Sequence, residues 1–336
     1  MPQWTVDAPT RLAFDDVTAL RVRTIAGSVA VLATSETPAL DITSISGQPL
    51  MVSHDDGVLT ISYEDLTWDG LLEWLRPQNH SAELTVIVPR DCPAQVGVVA
   101  ATAVVSGVAG RTSVRSVSGA ITLDGLGGRV DARTVSGDVE AQDLSGQISF
   151  NSVSGDLTLA GGSLDRLDAK TVSGSVTADV HLGKPGQVRV ATVSSDVALR
   201  LPTEPDAKVS LRSTSGRVLS EFDRLRHANA PVSHSVNGTL GAGSGHISVT
   251  TLSGRVTLLK RAEQPTARER SEPTEPTEPT ADGRSETPAA DGNAWAAATD
   301  PVPGDSTNDR ANDRAGDRAG DGAGDHSDEQ TKGEAR

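Results

Sequence analysis

A chain of 336 residues with a formal net charge of −15, 36% hydrophobic residues and 2% aromatic residues has to build any core from small aliphatic side chains. Residues 261–336 hold 18 acidic and 9 basic side chains, net −9, which leaves −6 for residues 1–260. An acidic balance of this kind argues against nucleic-acid binding by charge.

The opening MPQWTVDAPTRL lacks a basic segment followed by an apolar stretch, and no run of about 18 uncharged apolar residues occurs anywhere. Neither secretion nor membrane insertion is encoded recognisably, so the cytoplasm is the expected location, with a non-classical route to the surface left open. Residues 11–90 then alternate apolar and polar positions in ALRVR (Ala19 to Arg23), SVAVLA (Ser28 to Ala33), ALDITSI (Ala39 to Ile45), VLTIS (Val58 to Ser62) and ELTVIV (Glu83 to Val88). Period-two alternation between turn formers predicts strands, and residues 1–100 read as an N-terminal β-meander. The segment 66–77 interrupts it. Trp68, Leu71, Leu72, Trp74 and Leu75 crowd an otherwise aromatic-poor chain, and are expected to cap a sheet end or to bind a partner.

From Val108 the chain repeats in nine-residue units beginning at Val108, Val117, Leu126, Val135, Leu144 and Val153, with glycine third in each: Gly110, Gly119, Gly128, Gly137, Gly146, Gly155. Ser116, Thr134, Ser152, Thr171 and Thr192 precede alternate units, whereas Gly107, Gly125 and Asp143 precede the others, so the true period is 18 residues. Later echoes come at Val172, Val193, Thr214 and Leu252, with the extra residues expected to bulge from the variable side. Two short strands and two tight turns per period predict a β-solenoid over residues 101–260, with positions one, five and seven facing inward. Glycine at position three either adopts a positive φ or lets two walls approach. An antiparallel meander is the competing geometry.

The strand Leu84-Thr85-Val86-Ile87-Val88-Pro89, the passage from Val98-Val99 to Val105-Ser106-Gly107 and the serial Val-Ser-Gly units together resemble a bacterial β-strand-repeat family of unknown function, found in actinobacteria and labelled "putative adhesin". The resemblance spans about residues 11–260. It implies an all-β repeat fold and no established catalytic residues.

Candidate chemistry is sparse. Asp138 and Asp156 fall one period apart, which would stack two carboxylates about 5 Å apart, as in a retaining glycosidase; solvated turn residues explain them more simply. Gly161-Gly162-Ser163-Leu164-Asp165 departs from the calcium β-roll spacing, and no metal or other cofactor is expected. Ser244 and His246 lack an orienting acid in sequence. Cys92 lies beside Asp91 and Arg90, where the arginine could depress its pKa, although a core or turn residue is the simpler reading. As the single cysteine it forms no intrachain disulfide. Beyond Lys260, EPTEPTEPT and NDRANDRAGDRAGDGAGD read as a disordered acidic tail over 261–336.

These features point to a non-enzymatic adhesin-like or scaffolding protein presenting stacked polar ladders to an unknown protein or glycan partner. An intracellular self-assembling β-helical scaffold is the alternative, and a carbohydrate-active enzyme the third reading. No transmembrane segment and no nucleic-acid partner are expected.

Overall fold

The computed structural model describes residues 2–63, 80–230 and 233–261, all within the first of two units, Met1–Arg270 and Ser271–Arg336. The expected flap 66–77 and the acidic tail beyond Arg261 lie outside the described residues. Among those described, every regular element is a strand, β1 to β24, and most neighbours pair in parallel.

The repeat builds two walls. β9 (Ala94–Val98), β11 (Thr112–Ser116), β13 (Arg129–Thr134) and β15 (Ser145–Asn151) form the first, and β10 (Thr102–Ser106), β12 (Ile121–Asp124) and β14 (Val139–Gln142) the second. Partners stand one 18-residue period apart, Thr112 beside Val130 and Ile121 beside Val139. The chain therefore coils, laying each turn on the last, and the meander is excluded for this region. In β16 (Leu157–Thr171) and β17 (Val176–Thr192) the pairing crosses from one wall to the other, with register shifts between Ala160 and Ser163 and between Leu164 and Arg166. The longer spacings are absorbed there, at the corner opposite Val-Ser-Gly.

Positions five and seven face inward, as expected: Ile121, Val130, Val139 and Leu157 are buried, and so are Val114, Leu123, Phe150 and Leu159. Position one corrects the expectation. Val108, Leu126 and Leu144 are buried, but Val135, Val153, Val172 and Val193 are each 45–49% exposed. The residue before them explains the split. Gly107, Gly125 and Asp143 have φ of 75°, 59° and 50°, and this left-handed step turns the next side chain inward. In the other units Ser or Thr takes the inward place, and consecutive side chains of an extended chain point to opposite sides. The hydroxyl of Thr134 accepts the Gly137 N–H at 2.8 Å, Ser152 that of Gly155 at 2.8 Å and Thr251 that of Gly254 at 3.1 Å. A backbone donor is thereby satisfied inside the corner.

The glycines divide likewise. Gly146 takes φ of 91°, but at the Ser/Thr-Val-Ser-Gly corner the reason is space: a Cβ on Gly155 would lie 2.0 Å from the carbonyl oxygen of Gly137 one coil away.

At both ends stacking order departs from chain order. β3 (Ala19–Thr24) and β4 (Ala26–Thr34) lie between β9–β10 and the end coil of β7 (Val58–Ser62) and β8 (Ser81–Pro89), so much of the segment expected as a meander is parallel coil. Antiparallel β5 (Ala39–Ser46) and β6 (Leu50–Asp55) cover that coil, flanked by β2 (Thr10–Ala13) and β1 (Gln3–Val6). At the other end β23 (Gly245–Thr251) and β24 (Val256–Lys260) slide between β17–β18 (β18, Val197–Leu201) and the coil of β19 (Ala207–Ser213) and β20 (Val218–Ser220). Antiparallel β22 (Ser233–Leu240) and β21 (Arg226–Ala230) follow on β19.

Two substitutions test this register by chemical denaturation. Val153→Asp should change stability by no more than about 0.5 kcal/mol, since the side chain already meets water. Gly155→Ala should cost about 3 kcal/mol, because neither coil can retreat without breaking its hydrogen bonds.

Candidate binding surfaces

The residues expected to cap or bind, Trp68, Leu71, Leu72, Trp74 and Leu75, lie outside the described residues. Tyr63, just after β7, and His80, just before β8, are both buried. Their rings stand 5.4 Å apart, and the Gln48 N–H donates to His80 Nδ1 at 2.9 Å. Both residues thus sit in the core, and burial pushes the Tyr63 hydroxyl pKa up.

The outward side chains sort by charge. On the wall of β3, β9, β11, β13, β15 and β16, one register row reads Arg23, Gly97, Arg115, Arg133, Asn151 and Lys170. Two residues earlier runs the row Arg21, Gln95, Ser113, Asp131, Ser149 and Asp168. The acids of this wall are engaged, Asp131 with Arg133 at 2.9 Å and Asp168 with Arg166 and Arg189. The opposite wall carries Glu83, Asp124, Glu140 and Asp179, and its Arg200 is paired with Asp179. A chain of strongly negative net charge therefore presents one basic wall. Sequence reasoning missed it, although the signal was there: Arg111 and Arg115, Arg129 and Arg133, and Arg166 and Lys170 all fall in alternate half-units.

The corner between the walls carries a ridge one side chain wide. Val135, Val153, Val172, Val193 and Leu252 are each about half exposed, flanked by Ser136, Ser154 and Ser253, whose hydroxyls donate to carbonyls of the adjoining coil.

Asp138 and Asp156 do stack, but as braces. Asp138 Oδ1 accepts the Asp156 N–H at 2.9 Å, and Asp156 Oδ1 accepts the Ser175 N–H at 2.7 Å. A carboxylate committed to the next coil's backbone serves the corner rather than acid–base chemistry. Ser244 donates to Asp206 at 2.7 Å and is not aimed at His246, which stands on the basic wall in register with Lys208. Those Ser244 bonds hold Asp206 below the ordinary aspartate pKa. Cys92 is buried, and desolvation pushes its pKa up to about 11, which keeps the thiol protonated and inert. Among the described residues no three His, Cys, Asp or Glu side chains gather at metal-binding distance, and no helix is long and apolar enough to cross a membrane.

One charge cluster ties the last coils together. Asp179 accepts from Arg200 on β18 and from Arg261 beyond β24, whose Nε lies 3.0 Å away. Burial alone would raise the Asp179 pKa, but the two arginines outweigh it and hold the carboxylate low. A depressed pKa gives stabilisation that is complete above the ordinary value of about 3.9 and lost as pH falls through the lowered one. Asp179→Asn should therefore lower stability by about 1 kcal/mol at neutral pH. Denaturation curves taken at successively lower pH should show the difference from the parent protein shrinking to nothing.

With this geometry in view, the repeat matches a known family model. Residues 104–189 and again 145–259 match Toastrack DUF4097, a domain of unknown function. The two matched stretches overlap, as internal repetition dictates. Among solved structures, a "putative lipid binding protein" from Parabacteroides distasonis is similar at 11% identity, covering 76% of this chain and 97% of that one, with a TM-score of 0.38. A "putative adhesin" from Parabacteroides merdae is 11% identical over 76% and 96%, TM-score 0.30. A "putative cell adhesion protein" from Clostridium sporogenes is 10% identical over 76% and 100%, TM-score 0.22. No curated protein matches the chain.

Proposed function

We propose that this protein is a non-enzymatic, adhesin-like binding module that takes its ligand along the outer wall of the Toastrack-like coil. The observation that carries this reading is the sorting of charge between walls, with basic residues aligned in rows along one of them. A coil repeats its outward positions at every turn, so its natural ligand repeats as well. The polar groups with catalytic potential are spent otherwise: Asp138 and Asp156 brace corners, Ser244 donates to Asp206, and Cys92 is buried.

The alternative, an intracellular scaffold growing end to end, would need open sheet edges at the ends of the coil. Those ends carry antiparallel strands, β5 and β6 on one coil and β22 on the other, and β20 is only three residues long. Short and covered edges oppose strand-to-strand growth, which favours the module over the scaffold. An adhesin-like role also requires the wall to be reachable from outside, which protease digestion of intact cells tests directly.

The binding reading is checked with purified protein and a panel of soluble polysaccharides, measuring equilibrium binding and then ligand length by mass spectrometry. Saturable binding with ligand of unchanged length is expected. Shortened ligand would overturn the non-enzymatic reading.

A further inference from the structure

The basic wall is not uniform. Where β3, β9 and β11 lie side by side, Gly97 stands in register between Arg23 and Arg115, and its missing side chain opens a groove of about 250 Å³. Arg21, Arg23, Arg111 and Arg115 ring this groove, with Gln95 and Ser113 beside them. Arg23 and Arg115 are two strand spacings apart, about 9.6 Å, so their guanidinium groups can close on one anion from both sides. Among the described residues, Arg21, Arg23 and Arg111 form no ion pair.

We propose that this groove binds an acidic polysaccharide, seating one carboxylate or sulfate group of the polymer over Gly97 between Arg23 and Arg115. This rests on the binding-module reading above and names its ligand class. Three observations select that class. The groove is smaller than the roughly 300–1,000 Å³ of pockets that enclose a whole drug-sized ligand, so it takes a side group of something longer. The row through it is basic at Arg23, Arg115, Arg133 and Lys170 and neutral at Gly97 and Asn151, which spaces positive charge at about one per 7 Å. A polymer with one charge per sugar or per disaccharide matches that spacing, whereas duplex nucleic acid carries one charge per about 1.7 Å. Finally, the wall offers Gln95, Ser113, Gln147, Ser149 and Asn151 to sugar hydroxyls, and these rows contain no aromatic ring on which a base could stack. Arginine suits the role because its planar fork pairs with carboxylate or sulfate through two parallel hydrogen bonds.

The test measures binding of the full chain to a heparin-derived oligosaccharide, to hyaluronan, to neutral dextran and to a single-stranded oligonucleotide at two salt concentrations. The expected result is salt-sensitive binding to one or both acidic glycans and none to dextran. The double variant Arg23→Gln with Arg115→Gln should weaken it about tenfold or more, while Arg255→Gln, on a corner away from the groove, should leave it unchanged. Gly97→Leu fills the groove without changing charge and should weaken binding comparably, provided its melting temperature stays near that of the parent. Where Gly97→Leu fails to fold, the double arginine variant decides alone. Full glycan binding by a folded Gly97→Leu protein would overturn the groove as the site. Preference for the oligonucleotide would overturn the ligand class. Binding of neutral dextran alone would overturn this inference while leaving the binding-module reading in place, and shortened glycan would overturn that reading itself.

Discussion

The fold depends on how closely successive coils approach at the Ser/Thr-Val-Ser-Gly corner. There the backbone of one coil stacks directly on the next, so near that a Cβ on Gly137 would sit 2.1 Å from the carbonyl oxygen of Gly119. This contact requires glycine, and it requires the preceding Ser or Thr to turn its hydroxyl inward to the glycine N–H. The valine between them then faces water, because alternate residues of an extended chain cannot share a side. The exposed ridge of Val135, Val153, Val172 and Val193 thus follows from closing the corner.

Such a corner keeps the core thin, and the thin core in turn commits the remaining polar residues. Every coil buries apolar side chains from both walls, mostly aliphatic, with the aromatic ring of Phe150 fully enclosed among them. Polar side chains are consequently either spent on bracing the stack, like Asp138, Asp156 and Asp196, or displayed on the outer walls. Stacking turns an alternation along the chain into rows across it, so that arginines 18 residues apart, such as Arg115 and Arg133, become immediate neighbours. The outer surface of such a scaffold is made of rows and of gaps in rows, of which Gly97 is the clearest.

The ends solve a different problem. A coil that simply stopped would leave whole strands unpaired. At the C-terminal end the chain overshoots, lays down an end coil, covers it with antiparallel strands and comes back to fill the place it skipped with β23–β24. At the N-terminal end the order is reversed, β3–β4 being laid first, then antiparallel β5 and β6 and the end coil β7–β8, before the chain resumes on the other face of β3–β4 at β9. The return closes the C-terminal coils partly through charge, since Arg261, just past β24, reaches Asp179 on β17.

Much of this was legible in the sequence, because period and alternation are local properties. The 18-residue coil, the parallel walls and the buried fifth and seventh positions follow from the spacing of glycine and the alternation of apolar residues. Asp138 and Asp156 read in the sequence as solvated turn residues; that each carboxylate accepts the backbone N–H of the next coil needed the structure. The first position was misread because the sequence shows an aliphatic residue there in every unit; which way it points depends on whether a positive φ or an inward hydroxyl comes just before it. Equally beyond the sequence was the exchange of coils at the ends: Thr214 follows Val193 in spacing, yet Leu252 lies between them in space. The basic wall too needed the tertiary structure. Net charge sums over all faces, and only the stacking of alternate half-units onto one side gathers the arginines into rows and places Arg21, Arg23, Arg111 and Arg115 around a single glycine.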